Sequence, residues 1–119
     1  DVQTAHKQWY FGKSLDGFTP IGPCIVTADA FADYPPRLGI RSFVNGEKRQ
    51  DSNTALQIFD IDHVIAELSQ GMTLKAGTII ATGTPAGVGM GMDPPQFLKP
   101  GDVVRCEIEG IGTLTNPVK

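Results

Sequence analysis

Apolar and polar positions alternate over short runs in this chain, and glycine or proline cuts nearly every run before it reaches helical length. "LGIRSFVNGEKRQ", from Leu38 to Gln50, alternates into Asn45-Gly46 and returns through Glu47. Asn-Gly suits a two-residue type I′ turn, so this stretch predicts a β-hairpin. "LKAGTIIATG" from Leu74 and "LKPGDVVRCEIEG" from Leu98 share leucine, lysine, one variable residue, glycine, a polar residue and two β-branched residues. Each predicts a turn that feeds a buried strand. "EGIGTLTNPVK" turns at Gly110 and runs back as a last strand to Val118, where Pro117 suits a sheet edge.

One segment carries the helical period. Between about Asp62 and Gln70, Val64, Ile65 and Leu68 share a face. Asp60 or Asp62 can cap its start, and Gly71 stands where a left-handed C-terminal cap belongs. Its apolar face is expected to meet the sheet. The fold class that follows is a mixed, β-rich α+β domain: a bent β-sheet or β-roll with one main helix.

Between the two leucine-lysine repeats lies "TGTPAGVGMGMDPPQF", with four glycines and three prolines. It fits neither a helix nor an interior strand, so it predicts a loop. Two uses are open. It can be a plain surface connection, or its glycines can let backbone N–H groups approach an anion. Thr82 and Thr84, at the strand exit, favour a site.

A length of 119 residues with 40% hydrophobic side chains predicts one domain with a core of ordinary size. A formal net charge of −3 and a pI near 5.2 leave no basic stripe for nucleic acid. No apolar run approaches the roughly 18 residues that span a bilayer, and no charged-then-apolar leader opens the chain, so a soluble protein without a membrane partner is expected. Cys24 and Cys106 lie far apart, and two free thiols in a reducing compartment are expected. The cytoplasm fits, with a mitochondrial location left open. The start at Asp1 predicts a piece of something longer.

Candidate chemistry centres on "YFGKSLDGF", where Lys13 sits among aromatic and apolar residues. Gly12-Lys13-Ser14 matches the end of the phosphate-loop pattern, but that pattern needs a glycine where Lys7 stands. Ser14 and Ser52 have no nucleophile-elbow or paired-histidine context. His63, on the helix, is a surface or half-buried residue before it is a ligand.

The segments "DVQ" at Asp1, "QW" at Gln8, "GKSLDGFTPIGP" at Gly12, "VNGEKRQDSNT" at Val44, "TGTPAGVG" at Thr82 and "FLKPGDVVRCEIEGIGTLTNPV" at Phe97, in this order, resemble the fumarylacetoacetate hydrolase family. The resemblance covers nearly the whole chain and points to the smaller members, of the 2-hydroxyhepta-2,4-diene-1,7-dioate isomerase and acylpyruvate hydrolase type. It implies that residues 1–119 are the C-terminal part of a fumarylacetoacetase-like catalytic domain, truncated on its N-terminal side. Members of this kind hydrolyse acylpyruvates, isomerise hydroxymuconate-type diacids or decarboxylate oxaloacetate in aromatic catabolism, and work as homodimers or larger assemblies. Their cofactor is Mg2+ or another divalent cation such as Mn2+ or Ca2+. Its carboxylate ligands include a Glu-x-Glu pair and an aspartate in an Asn-Asp-Val-Ser-Ala-Arg-Asp segment. Aligning Asp1 to the second aspartate of that segment places Gln3 and Lys13 at matching positions and every metal carboxylate upstream of residue 1. The catalytic histidine or glutamate is upstream too, since neither His6 nor His63 sits in a matching motif.

The resemblance therefore gives Lys13 a role beside the ion and the substrate carboxylate or enolate, where a cation stabilises developing charge. It gives Gln3, Gly83 and Thr84 a part in binding the substrate. Asp51, Asp60, Asp62 and Asp102 are expected in a strand end, a helix start and a turn, not at a metal. Arg49-Gln50 is either a contact to the substrate's distal carboxylate or a strand surface pair. The alternative function is a non-catalytic β-rich binding or assembly module, with Lys13 reaching solvent past Trp9 and Phe11. The chain alone, without the metal carboxylates, is expected to be inert.

Overall fold

The computed structural model describes Ala5 and residues 9–119, and the expectations placed on Asp1, Gln3 and His6 lie outside these residues. In the described residues a short helix α1 (Trp9–Lys13) is followed by strands β1 (Gly39–Val44) and β2 (Glu47–Asn53), helix α2 (Ile61–Ser69), and strands β3 (Val103–Ile108) and β4 (Gly112–Pro117). The strands form one sheet in the order β2-β1-β3-β4, antiparallel at every pairing. β4 is an edge, and Pro117 ends it as expected.

The β1–β2 hairpin turns at Asn45 (φ 52°) and Gly46 (φ 85°), the pair of positive φ angles a type I′ turn requires. Its ladder breaks once. Ser42 pairs with Gln50 and Phe43 with Lys48, so Arg49 has no residue opposite it. Such a bulge bends the strand and brings two successive side chains toward one face. Register places Ile40, Ser42 and Val44 beside Ile108, Cys106 and Val104, with Leu114 next across. The opposite face carries charge, with Arg41 bonded to Asp51 at 3.1 Å and Arg105 stacked 4.1 Å from the Phe43 ring.

Four expectations are corrected, the core of ordinary size among them. "TIIATG", from Thr78 to Gly83, follows a turn closed by the Thr78 amide on the Lys75 carbonyl but pairs with no strand, and Ile79 is exposed. In α2, Asp60 caps the start by accepting from the His63 amide at 2.8 Å, but the helix ends at Gln70 in right-handed geometry and Gly71 has no positive φ. The apolar face of α2 makes at most marginal contact with the strands, because the contacts that join elements run within the sheet. A single sheet without a helix laid across it cannot enclose a core. Among the described residues no hydrophobic side chain is fully buried, and Ile25 and Ile58 stand open to solvent. No described helix is long and apolar enough to cross a membrane.

Candidate active site

The glycine-rich segment from Thr82 onward forms the expected loop, with one short 3-10 turn at Gly89–Gly91, and it lies against the apolar face of the sheet. Close approach of backbone to backbone seats it there. A Cβ on Gly87 would stand 2.0 Å from the Arg49 carbonyl oxygen, and one on Gly89 would stand 1.8 Å from that of Gln96. Gly87 also has φ +103°, which favours glycine. Gly87 thus serves contact with β2, and Gly89 lets the loop close on itself at Gln96.

Both threonines of Thr82-Gly83-Thr84 are held by glutamine amides. Gln57 Nε2 donates to Thr82 Oγ1 at 3.1 Å, and Gln50 Nε2 donates to Thr84 Oγ1 at 2.7 Å and to the Pro85 carbonyl at 2.9 Å. On the other side of the same amide, Ser42 Oγ donates to Gln50 Oε1 at 2.8 Å. Gln50 is half-buried, whereas Thr84 is exposed, so a hydroxyl fixed from behind is offered to solvent.

Arg49, on the same face because of the bulge, ties down the far end of the loop. Its Nη1 donates to Gln96 Oε1 at 2.6 Å and lies 2.9 Å from Met92 Sδ, and its Nη2 lies 3.3 Å from Glu47 Oε2. Its Nε is buried without a hydrogen-bond partner. Loop and sheet enclose a cleft of about 660 Å³, lined among others by Ser42, Arg49, Gln50, Gly87 and Cys106. Lys13, Gly83 and Thr84 do not line it.

Lys13 closes α1, exposed, with its Nζ 5.5 Å from the centre of the Trp9 ring. No hydrogen bond joins it to Thr84 among the described residues. Cys24 and Cys106 are free thiols, both exposed. His63 stacks on Phe59 at 4.7 Å in an exposed setting. Among the described residues no three His, Cys, Asp or Glu side chains come together to hold a metal ion. Asp51 takes Arg41 and Lys48 as partners, while Asp102 takes Asn45 and the Lys99 amide. Sequence reasoning did not find the Ser42–Gln50–Thr84 chain, and it left Gln50 as a distal carboxylate contact or a surface pair. Gln50 is not a plain surface pair with Arg49, since it is half-buried and bonded to the loop.

The model of the fumarylacetoacetate hydrolase C-terminal domain matches residues 1–119. The chain belongs to this family. Oxaloacetate tautomerase YisK of Bacillus subtilis is 49% identical over 118 residues, which are 99% of this chain and 39% of YisK. A solved fumarylacetoacetate hydrolase from the psychrophile Exiguobacterium antarcticum superposes with a TM-score of 0.91 at 55% identity, covering 100% of this chain and 42% of that one. A maleylpyruvate hydrolase from Sphingobium sp. SYK-6, solved with manganese(II) and pyruvate, gives a TM-score of 0.78 at 44% identity over 91% of this chain and 38% of that one. The chain therefore spans about two-fifths of the length of these relatives.

Proposed function

We propose that this chain is the C-terminal part of an enzyme that acts on small 2-oxo and 2-hydroxy acids or diacids through an enolate. The reactions within reach are carbon–carbon hydrolysis of acylpyruvates, isomerisation of hydroxymuconate-type diacids, and decarboxylation or tautomerisation of oxaloacetate, which share that intermediate. The observation that carries the proposal is the pyruvate held with manganese in a protein alike over nine-tenths of this chain.

A divalent ion, Mg2+, Mn2+ or Ca2+, would supply Lewis acidity toward the enolate. The described residues hold no cluster of three such ligands; the family resemblance is what assigns its carboxylates to residues outside this chain, and no step is drawn through it. What this chain contributes is charge and orientation. Lys13 brings a cation to the substrate carboxylate or the developing enolate. The Thr84 hydroxyl and the Gly83 backbone receive the substrate's oxygens, and Gln3 orients it. The parent protein works as a homodimer, which sedimentation tests.

Full-length protein assayed on oxaloacetate and on acylpyruvates, with magnesium or manganese and again after chelation, tests the function. Metal-dependent turnover of at least one 2-oxo acid is expected. Absence of turnover and of pyruvate or oxalate binding at saturating metal would overturn it.

A further inference from the structure

Pro85 has a carbonyl but no N–H, so the amide atom of Gln50 that bonds to it at 2.9 Å must be Nε2. The same nitrogen contacts Thr84 Oγ1 at 2.7 Å and has no lone pair to offer, so the threonine oxygen is the acceptor. Both N–H bonds of the amide are then used. The remaining atom, Oε1, accepts from Ser42 Oγ at 2.8 Å, which fixes the amide from the sheet side. Every hydrogen in this chain of bonds has one direction: from Ser42 to Gln50, and from Gln50 to Thr84. The Thr84 proton cannot point back at Gln50, and the side chain that carries it is exposed.

We propose that Gln50 is a positioning residue that makes the Thr84 hydroxyl an obligate donor, aimed at an anionic oxygen of the bound 2-oxo acid. This rests on the function proposed above. The hairpin builds the device: Gln50 sits opposite Ser42, and the adjacent bulge at Arg49 bends β2 where both side chains meet the loop. A hydroxyl whose proton is committed in advance binds an anion better than one free to rotate, because no reorientation accompanies binding.

Gln50→Glu tests the direction of the proton with little change in shape. Ionised, the introduced carboxylate accepts from Ser42 and also from Thr84, so it draws the threonine proton inward and leaves a lone pair facing the substrate. Protonated, the same carboxyl group accepts from Ser42 and has one O–H to donate to Thr84, and only the Pro85 carbonyl loses its bond. We expect full-length Gln50→Glu with Mn2+ to bind oxalate and pyruvate at least tenfold more weakly than wild type at pH 8 by calorimetry, and to recover most of that difference from wild type at about pH 4, below the ordinary glutamate value of about 4.3. Thr84→Val should weaken binding at both pH values. In the Thr84→Val background, Gln50→Glu should add less than a twofold further loss and no new pH dependence.

Simple repulsion between the introduced carboxylate and the ligand would instead give the Gln50→Glu penalty in full on the Thr84→Val background, and that result overturns the proposal. So does binding by Gln50→Glu equal to wild type, or a loss that acid does not reverse while the melting temperature is unchanged. Gln50→Leu, measured alongside, reports the cost of loosening the loop and should show no recovery in acid. Wild-type protein that neither binds nor turns over any 2-oxo acid removes the proposed function itself, and is distinct from wild-type binding with an indifferent Gln50→Glu.

Discussion

The Gly87 α-carbon rests against the Arg49 carbonyl so closely that a methyl group there would stand 2.0 Å from the oxygen. Gly87→Ala has to overcome this clash with backbone and the strain of φ +103° together. Such strain alone costs about 1–3 kcal/mol. Gly71 has ordinary φ and open space around the position of a Cβ. We therefore expect Gly87→Ala to destabilise the full-length protein by at least about 2 kcal/mol, and Gly71→Ala to stay within about 0.5 kcal/mol of wild type. Urea denaturation of both variants checks this. Equal midpoints would mean that the loop is not seated on β2 through Gly87.

Asn45 joins the hairpin tip to the start of β3. Its Nδ2 donates to Asp102 Oδ1 and its Oδ1 accepts from the Val103 amide, both at 2.9 Å. The Asn45 bond, followed by the bond from the Lys99 amide, holds the Asp102 carboxyl below its ordinary value of 3.8. Asp51 is lowered as well, first by its bond from Lys48. A carboxyl with a depressed folded pKa contributes stability that is present above its unfolded pKa and lost as pH falls through the folded one. Stability should therefore decline as pH drops below about 4, the ordinary aspartate range. Asp102→Asn should flatten that decline, and Asn45→Ala should flatten it too, since it removes the donor. Denaturant midpoints recorded from about pH 6 to about pH 2.5, a span that brackets the ordinary aspartate range, check the slope. An unaltered slope in both variants would remove the linkage from Asp102.

The hairpin was legible because Asn45-Gly46 is a local signal, needing only two residues with positive φ. Helix α2 was legible for the same reason, through Asp60 and the spacing of Val64 and Leu68. Its end was not. Glycine after an apolar face allows a left-handed cap without compelling one, and Gly71 does not adopt it. "TIIATG" reads as a strand on β-branched residues alone, but strand pairing needs a neighbour with a free edge, and none in the described fold takes it. Lys13, Gly83 and Thr84 came from the family resemblance. The Gln50–Thr84 bond spans 34 residues in sequence and depends on the bulge at Arg49. Strict alternation would send Arg49 and Gln50 to opposite faces, and nothing local in "GEKRQDS" announces the break.

Arg49 holds the far end of the loop through Gln96 Oε1 and Met92 Sδ. Lysine in its place keeps the charge but loses the fork that serves Gln96 and Glu47 together. Arg49→Lys should raise local opening of residues 89–97, and losing about 1 kcal/mol there multiplies the open population about fivefold. Limited proteolysis under native conditions, with cleavage mapped by mass spectrometry, reads this directly. Cleavage in this segment at the wild-type rate would mean that other contacts hold the loop.

Lys13 ends α1 with its charge 5.5 Å from the Trp9 ring centre, a distance at which ring and cation attract. Two roles fit that position. As a solvated lysine resting on Trp9 it would contribute only a small amount to stability and nothing to turnover. As the cation that meets enolate charge it would lower the barrier as strongly as an oxyanion-hole donor does, by about a hundredfold in rate or more. In full-length protein we expect Lys13→Ala and Lys13→Met each to reduce kcat on the preferred 2-oxo acid by about a hundredfold or more, with melting temperatures close to wild type. Methionine keeps the apolar stem against Trp9, so agreement between the two variants assigns the loss to the charge and not to packing. Unchanged turnover at saturating metal and substrate would return Lys13 to the surface role, and Trp9→Ala would then be the variant to measure for stability.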